Sequence, residues 1–375
     1  NAISMKEDVV TGHFRPIINE SKCINCGLCV KHCPANHTYK FVDNMVTYAA
    51  YRTEPDKQIG SSSGGVAAAL YELAISKEWS IIGTVIDSDF RVKMELSNDK
   101  QAIESFKGSK YVQAYTIEAL TELKRTLKAD KNVLFIGTPC ECEAARSVAN
   151  GNEEKLLTVD LICHGVGSSA VFKACMKAIG KQLDSEVISY EFRAKMSAFE
   201  ADHLSSVTIC RNQNRKIFLR KDPYIELFLS QKILRPSCGK NCIFRDRQRQ
   251  GDITIADFKG LTKVFPSLIG QKYNYSTVVS NNSKGDTIIE LLKNRMVMLE
   301  CIIEDIEKFN PLFSRHTWFS NERDSFFQEY NVNSEKAILH HTHQAVIYKS
   351  SLLRTIYDLL PVIVRKQVYK LRGIK

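Results

Sequence analysis

Residues 23–34 read Cys23-Ile24-Asn25-Cys26-Gly27-Leu28-Cys29-Val30-Lys31-His32-Cys33-Pro34. The spacing is C-x2-C-x2-C-x3-C followed by proline, the run that holds [4Fe–4S] clusters. Its short gaps let three thiolates wrap one face of an iron–sulfur cube, and Gly27 permits close backbone approach and amide hydrogen bonds to sulfide. A zinc site normally closes with two separated pairs instead. The stretch therefore predicts a ferredoxin-like [4Fe–4S] module over residues 1–45. In two-cluster modules the fourth cysteine of each run serves the other cluster, so two assignments stand. Cys23, Cys26, Cys29 and Cys33 hold one cluster together, or the first three take their fourth ligand from upstream, the chain then starting inside the module.

Around this run the composition is that of a globular protein: 375 residues, 44% hydrophobic and 25% charged, without low-complexity tracts, enough for two or three domains. No apolar run reaches the roughly 18 residues a membrane span requires, and the best candidate, 355–364, is broken by Asp358 and Pro361. The first twenty residues lack the apolar stretch of a secretory leader. Twelve cysteines without a leader point to a reducing, cytoplasmic setting in which clustered thiols bind metal. The net charge of +10 is concentrated at the end, because residues 331–375 carry eight Lys/Arg against two Asp/Glu. No basic helix interleaved with aromatics stands out elsewhere, which argues against nucleic acid. The stretch 321–375 reads as a basic helical tail, either solvated or docking an acidic partner or an anionic membrane surface.

Between these ends, apolar runs at 80–86, 132–136 and 156–163 alternate with helix-like segments at 117–127 and 168–179. That order predicts an α/β (α+β) core with a partly parallel, mixed sheet, divided here into units 46–150 and 151–320. Two strands end in cysteine-bearing loops, Gly137-Thr138-Pro139-Cys140 and Cys163-His164-Gly165, and ligands collect at strand carboxyl ends in such sheets. With Cys238 and Cys242, these thiols amount to a possible second cluster set, Cys140, Cys163, Cys238 and Cys242. The competing reading is a zinc pair at 238 and 242 with Cys163 as a buried structural residue. Cys142, Cys175, Cys210 and Cys301 stand singly and read as core. Ile59-Gly60-Ser61-Ser62-Ser63-Gly64-Gly65 runs into a strong helix former, so it offers either a phosphate turn or a linker ending in a serine cap. Arg245, Arg247 and Arg249 alternate, aiming at phosphate or lying on a solvated face. His340, His341 and His343 have no acidic or cysteine partner close in sequence and read as incidental.

Assembled in order, these segments resemble the coenzyme F420 hydrogenase/dehydrogenase beta-subunit family, iron–sulfur flavoproteins that include 7-hydroxymethyl chlorophyll a reductase. The likeness runs through SSSGG at 61–65, GSKYVQ at 108–113, GTPC at 137–140, DLICHG at 160–165, and CGKNC with GDITIADFKG up to residue 260. It implies a flavin-binding core beside the [4Fe–4S] module. The function it implies is an FAD/4Fe–4S oxidoreductase that relays electrons between clusters and FAD to or from a two-electron substrate, F420-type or another. It places Ser62, Ser63, Gly64, Gly65, Lys110, Tyr111 and Thr138 at the FAD. It leaves His164, beside a cluster-type cysteine, as the one candidate for catalysis. The partners implied are a ferredoxin-like or other redox protein and a small-molecule electron donor or acceptor. Two other classes fit the same residues: an electron-transfer subunit without its own substrate site, and an accessory protein in surface-polysaccharide biosynthesis.

Overall fold

The computed structural model describes residues 2–36, 45–193, 205–212, 216–239, 242–245, 247–271, 273–315, 317–347, 356 and 360–371. The chain opens with an antiparallel hairpin, β1 (Ile3–Glu7) and β2 (Phe14–Ile18), and the cysteine run follows around one helical turn, α1 (Leu28–Lys31). It then forms β3 (Val46–Tyr51), α2 (Pro55–Gln58), α3 (Val66–Ser76), β4 (Ser80–Ile86), β5 (Val92–Ser97), α4 (Ala102–Phe106), α5 (Ile117–Lys128), β6 (Val133–Gly137), α6 (Pro139–Ala149) and β7 (Leu156–Leu161). An excursion follows through α7 (Ser169–Gln182), β8 (Val187–Phe192), β9 (Ser205–Cys210), β10 (Lys216–Arg220) and α8 (Pro223–Leu229). The return comprises β11 (Ile253–Asp257), α9 (Leu261–Val264), β12 (Ser276–Ser280), α10 (Ser283–Leu292), β13 (Val297–Cys301) and α11 (Ile303–Phe309). Beyond it come α12 (Arg323–Val332), α13 (Ser334–His341) and β14 (Val346–Ile347), and a further helix covers Val362–Leu371.

Eight strands form the main sheet in the order β13-β3-β12-β11-β7-β6-β4-β5. β4, β6, β7 and β11 are parallel, and the strands that flank them add antiparallel pairs. The largely apolar runs at 80–86, 133–137 and 156–161 form its middle because strands covered on both faces are apolar on both, and the polar Thr158 and Asp160 of β7 are buried with bonding partners. Successive side chains go to opposite layers. Ile81, Leu134 and Leu157 meet Leu70 of α3 and Ile289 of α10, whereas Ile82, Phe135 and Leu156 meet Leu123 of α5 and Ala145 of α6. Strands from both sides of residue 150 thus share one sheet.

The excursion builds a second sheet, β14-β10-β9-β8, packed with α7, α8, α12 and α13 around Phe172, Tyr224, Phe228 and Phe326. This revises the reading of the carboxyl end. Phe326, Phe327, Ala337 and Ile338 are buried, so α12 and α13 form a packed hairpin and not a solvated tail. Lys349, Arg354, Arg372 and Lys375 lie outside the described residues. Among the described residues no helix is long and apolar enough to cross a membrane.

Two buried ion pairs hold the loop before β11, one to β7 and one to α6. Arg249 lies 3.3 Å from Asp160, whose carboxylate also accepts from Gln250 N and the Thr254 hydroxyl. Arg146 of α6 pairs with Asp252 at 3.0 Å. Gly251 is required between them, since a Cβ there would meet Asp160 N at 2.6 Å. Two members of the arginine alternation, Arg245 and Arg249, are therefore buried and structural, while Arg247 stays exposed. Arg249 is buried, Arg245 donates to the His164 carbonyl at 2.6 Å, and Arg247 reaches Glu304 at 3.4 Å. Cys142, Cys175 and Cys210 are fully buried and Cys301 half-buried, as lone core cysteines should be.

Candidate cofactor site: two cysteine sets on one helix

The first cysteine set is a tight surface loop. Asn25 and Gly27 adopt left-handed backbone conformations at φ 51° and 70°, which fold the chain back on itself between Cys23 and Cys29. Cys26 and Cys29 are exposed, and Cys23 and Cys33 are half-buried. Cys29 and Cys33 also line a cavity of about 920 Å³ between the β1–β2 hairpin and the faces of α5 and α6. His32 Nδ1 lies 2.9 Å from Ser147 Oγ, which fastens the loop to α6.

The second set assembles at the carboxyl edge of the parallel strands. Cys140 occupies the first turn of α6, just after β6, in a capping box in which Thr138 and Glu141 satisfy each other's backbone groups. The Thr138 hydroxyl lies 3.2 Å from Cys140 Sγ. Cys163 follows β7, and its sulfur accepts from Gly165 N at 3.3 Å. Gly165 has φ 120°, and a Cβ there would stand 3.1 Å from Cys238 Cβ, so the loops of Cys163 and Cys238 are in contact. Cys140, Cys163 and Cys238 interact electrostatically with one another, and Cys238 with Cys242. Cys140, Cys163 and Cys238 thus lie near one another, and Cys242 lies near Cys238. Lys240 and Asn241, between the last two, lie outside the described residues.

Burial dominates the chemistry of this set. It pushes the Cys140 thiol up to about 12 and raises Cys163 and Cys238, with Arg235 and Arg245 working in the opposite direction. Such thiols hold their protons until a metal replaces them. Among the described residues no three cysteine sulfurs gather within 4.8 Å. Two polar groups next to this set lack partners, the Nε2 of His164 and the Nε and Nη1 of Arg245. Burial, then Arg245 and Lys259, lowers the His164 imidazole to about 4. It is therefore neutral near pH 7 and offers a proton acceptor, not a stored proton.

Of the residues expected at FAD, Thr138 adjoins Cys140 and Tyr111 reaches toward the Cys163 loop. Tyr111 stacks on Phe228 with centroids 4.7 Å apart, and His164 meets the same ring at 5.1 Å, so an aromatic row joins GSKYVQ to the Cys163 loop. Ser109 N donates to Ser62 Oγ at 2.8 Å, tying GSKYVQ to the glycine–serine turn. Gly64 is packed against backbone, where a Cβ would meet Ala50 O at 2.3 Å. Gly65 starts α3 at φ 88°, and no side chain caps that helix, contrary to the expected serine cap. An uncapped, buried amino end of an eleven-residue helix suits an anionic group. Other donors in the turn are already used: Ser63 bonds Tyr275 O, Gly64 N bonds Ser276 Oγ, and Lys110 Nζ reaches Ser105 O and Lys107 O. Desolvation lowers Lys110 to about 7.

Sequence reasoning missed the residues that couple the two sets. Gln113 grips the amino-terminal hairpin by accepting from Phe14 N at 2.8 Å and donating to Phe14 O at 3.1 Å. Ser169 and Ala170, opening α7, bond Gly12 O. His13, between them, is 1% exposed, and neither ring nitrogen has a partner. Burial and then Arg323 and Arg235 push it down to about 3. Gln113 was visible as the last residue of GSKYVQ, whereas a lone histidine carried no signal.

The carboxyl-terminal part of the family described as "Coenzyme F420 hydrogenase/dehydrogenase, beta subunit" matches residues 130–305, the segment carrying all four cysteines of the second set. Nearly half of the chain is thus similar to the F420 hydrogenase/dehydrogenase beta-subunit family. A "4Fe-4S binding domain" matches residues 16–36, which contain the first set, so the chain has an iron–sulfur electron-transfer module. No curated protein matches the chain. Among solved structures, a chain of the xenon-derivatised F420-reducing [NiFe] hydrogenase complex from Methanosarcina barkeri is 16% identical, over 80% of this chain and 91% of that one, with a TM-score of 0.48.

Proposed function

We propose that the chain is an iron–sulfur flavoprotein oxidoreductase that relays electrons between two [4Fe–4S] clusters and FAD, to or from a small two-electron substrate. The observation that carries this reading is the proximity of Cys140, Cys163 and Cys238, with Cys242 next to Cys238, while Tyr111 reaches the Cys163 loop through Phe228 and His164. The four thiols would hold a second cluster, in addition to the one on Cys23, Cys26, Cys29 and Cys33. The α3 amino end with Gly65 would receive a flavin phosphate, with Ser62, Ser63, Gly64, Lys110, Tyr111 and Thr138 around it. Clusters exchange single electrons, whereas a flavin interconverts one- and two-electron chemistry.

Each protein group has a separate task. Thr138 and Glu141 hold the amino end of α6, which keeps Cys140 in place. Arg245 fixes the His164 carbonyl, and His164, neutral, is available to accept a proton next to the Tyr111–Phe228 pair. Cys140 and Ser147 sit seven residues apart on α6, roughly 10 Å along its axis, so one rigid helix spaces the buried set from the surface run. The exposed run would face a ferredoxin-like partner or the other subunits of a redox complex. A second reading, an electron-transfer subunit without flavin, is favoured by the internal engagement of Ser63 and Lys110. Anaerobic purification with iron, sulfide and flavin analysis separates the two. Clusters with releasable FAD support the first, clusters without flavin the second, and iron-free protein after reconstitution overturns both.

A further inference from the structure

The histidines at 340–343 do have acidic partners, supplied by other helices. His343 pairs with Glu226 of α8 at 3.1 Å, and the other two converge on Glu329 of α12. His340 Nδ1 lies 2.8 Å from Glu329 Oε2, and His341 Nε2 lies 3.5 Å from Glu329 Oε1. Among the described residues this is the one group of three or more His, Cys, Asp or Glu ligand atoms within 4.8 Å of one another.

Four features mark it as more than a surface ion pair. The His341 side chain is 7% exposed, and its Nε2 is buried without a hydrogen-bond partner. Its other nitrogen, Nδ1, lies 3.6 Å from Glu322, and Lys232 anchors that carboxylate at 2.5 Å. A carboxylate behind the far nitrogen of a ligating histidine is the usual device for orienting the ring toward a metal. Two ligands bound at about 2.0–2.1 Å in a tetrahedron stand roughly 3.3 Å apart, and the observed 2.8 and 3.5 Å bracket that separation. His340, 66% exposed, keeps the remaining side open to solvent.

We propose that Glu329, His340 and His341 bind one zinc-class divalent cation, with Glu322 orienting His341 and solvent completing the shell. Imidazole and carboxylate donors suit zinc, and the cation replaces the proton shared between His340 Nδ1 and Glu329 Oε2. It pins α13 to α12, whose Phe326 and Phe327 pack into the second core. The site is far in character from the cysteine sets: it has no sulfur ligand and no redox task.

The test uses the full chain, without a histidine tag, purified anaerobically, given one equivalent of zinc and desalted. Zinc analysis is expected to find about one zinc per chain, with X-ray absorption showing only nitrogen and oxygen neighbours at about 2.0–2.1 Å. Glu322→Gln is expected to weaken binding by about 10–100-fold, and the double variant Glu329→Gln/His340→Gln, at a half-buried and an exposed position outside the core, is expected to abolish it with iron content unchanged. No zinc uptake, a sulfur shell at about 2.3 Å, or unchanged affinity in the double variant overturns the proposal.

Discussion

The two cysteine sets differ in how they are built. Cys23, Cys26, Cys29 and Cys33 lie within eleven residues of each other on a loop whose side chains face solvent, Ile24, Leu28 and Val30 among them. Cys140, Cys163, Cys238 and Cys242 span more than a hundred residues, and their loops meet because β6 and β7 are parallel neighbours and the segment leading to Cys238 pairs with residues 166–167. Local backbone makes the first set, and the whole sheet makes the second. Damage to the fold should therefore strike them unequally.

The largest effects come from the ligands. Cys26→Ala is expected to remove the surface cluster while leaving thermal stability of the core unchanged, whereas Cys163→Ala removes the buried one and also destabilises the loop it anchors; iron content with differential scanning calorimetry reads both. Equal stability losses from the two variants would end the distinction.

Next is Arg249→Ala, which leaves the Asp160 carboxylate buried without its partner. A loss of about 3–5 kcal/mol is expected in denaturant unfolding, with iron lost from the second set and retained at Cys23–Cys33. A smaller, pH-dependent effect comes from His13. Its pKa of about 3 lies below the ordinary 6.5, so the unfolded chain binds a proton that the native state refuses. The stabilising contribution is complete above about pH 6.5 and declines by on the order of 1.4 kcal/mol per pH unit as the pH falls toward 3. His13→Gln should flatten that slope in urea titrations at pH 7 and pH 5; an unaltered slope would rule out His13 as its source. Smallest is Thr138→Ala, which takes away one half of the α6 capping box and should cost about 1 kcal/mol. Its expected mark is on the iron at Cys140 rather than on that at Cys26.

The same contrast explains what could be read from the sequence. The first set was legible outright, since spacing alone encodes a local loop. The middle of the sheet was also legible, because 80–86, 132–136 and 156–163 read as strand-like, largely apolar runs. The second set was visible only as four candidates; their meeting depends on strand order, which no local pattern carries. Arg249 and Asp160 pair across eighty-nine positions, so the arginine alternation looked like a surface feature until β7 and the loop before β11 were brought together. Glu329 escaped for a different reason: it reaches His340 and His341 from the preceding helix, and the pairing depends on how α12 and α13 pack. The expected serine cap on α3 failed because Ser62 and Ser63 turn to Ser109 and Tyr275 instead.

The most direct test replaces Cys23, Cys26, Cys29 and Cys33 together with serine and measures iron, sulfide and the reduced-state EPR spectrum of the anaerobically purified chain. About four iron atoms per chain and one [4Fe–4S] signal are expected to survive, and to disappear when Cys163→Ser is added. An iron-free quadruple variant that remains folded would contradict a second cluster held by the sheet edge.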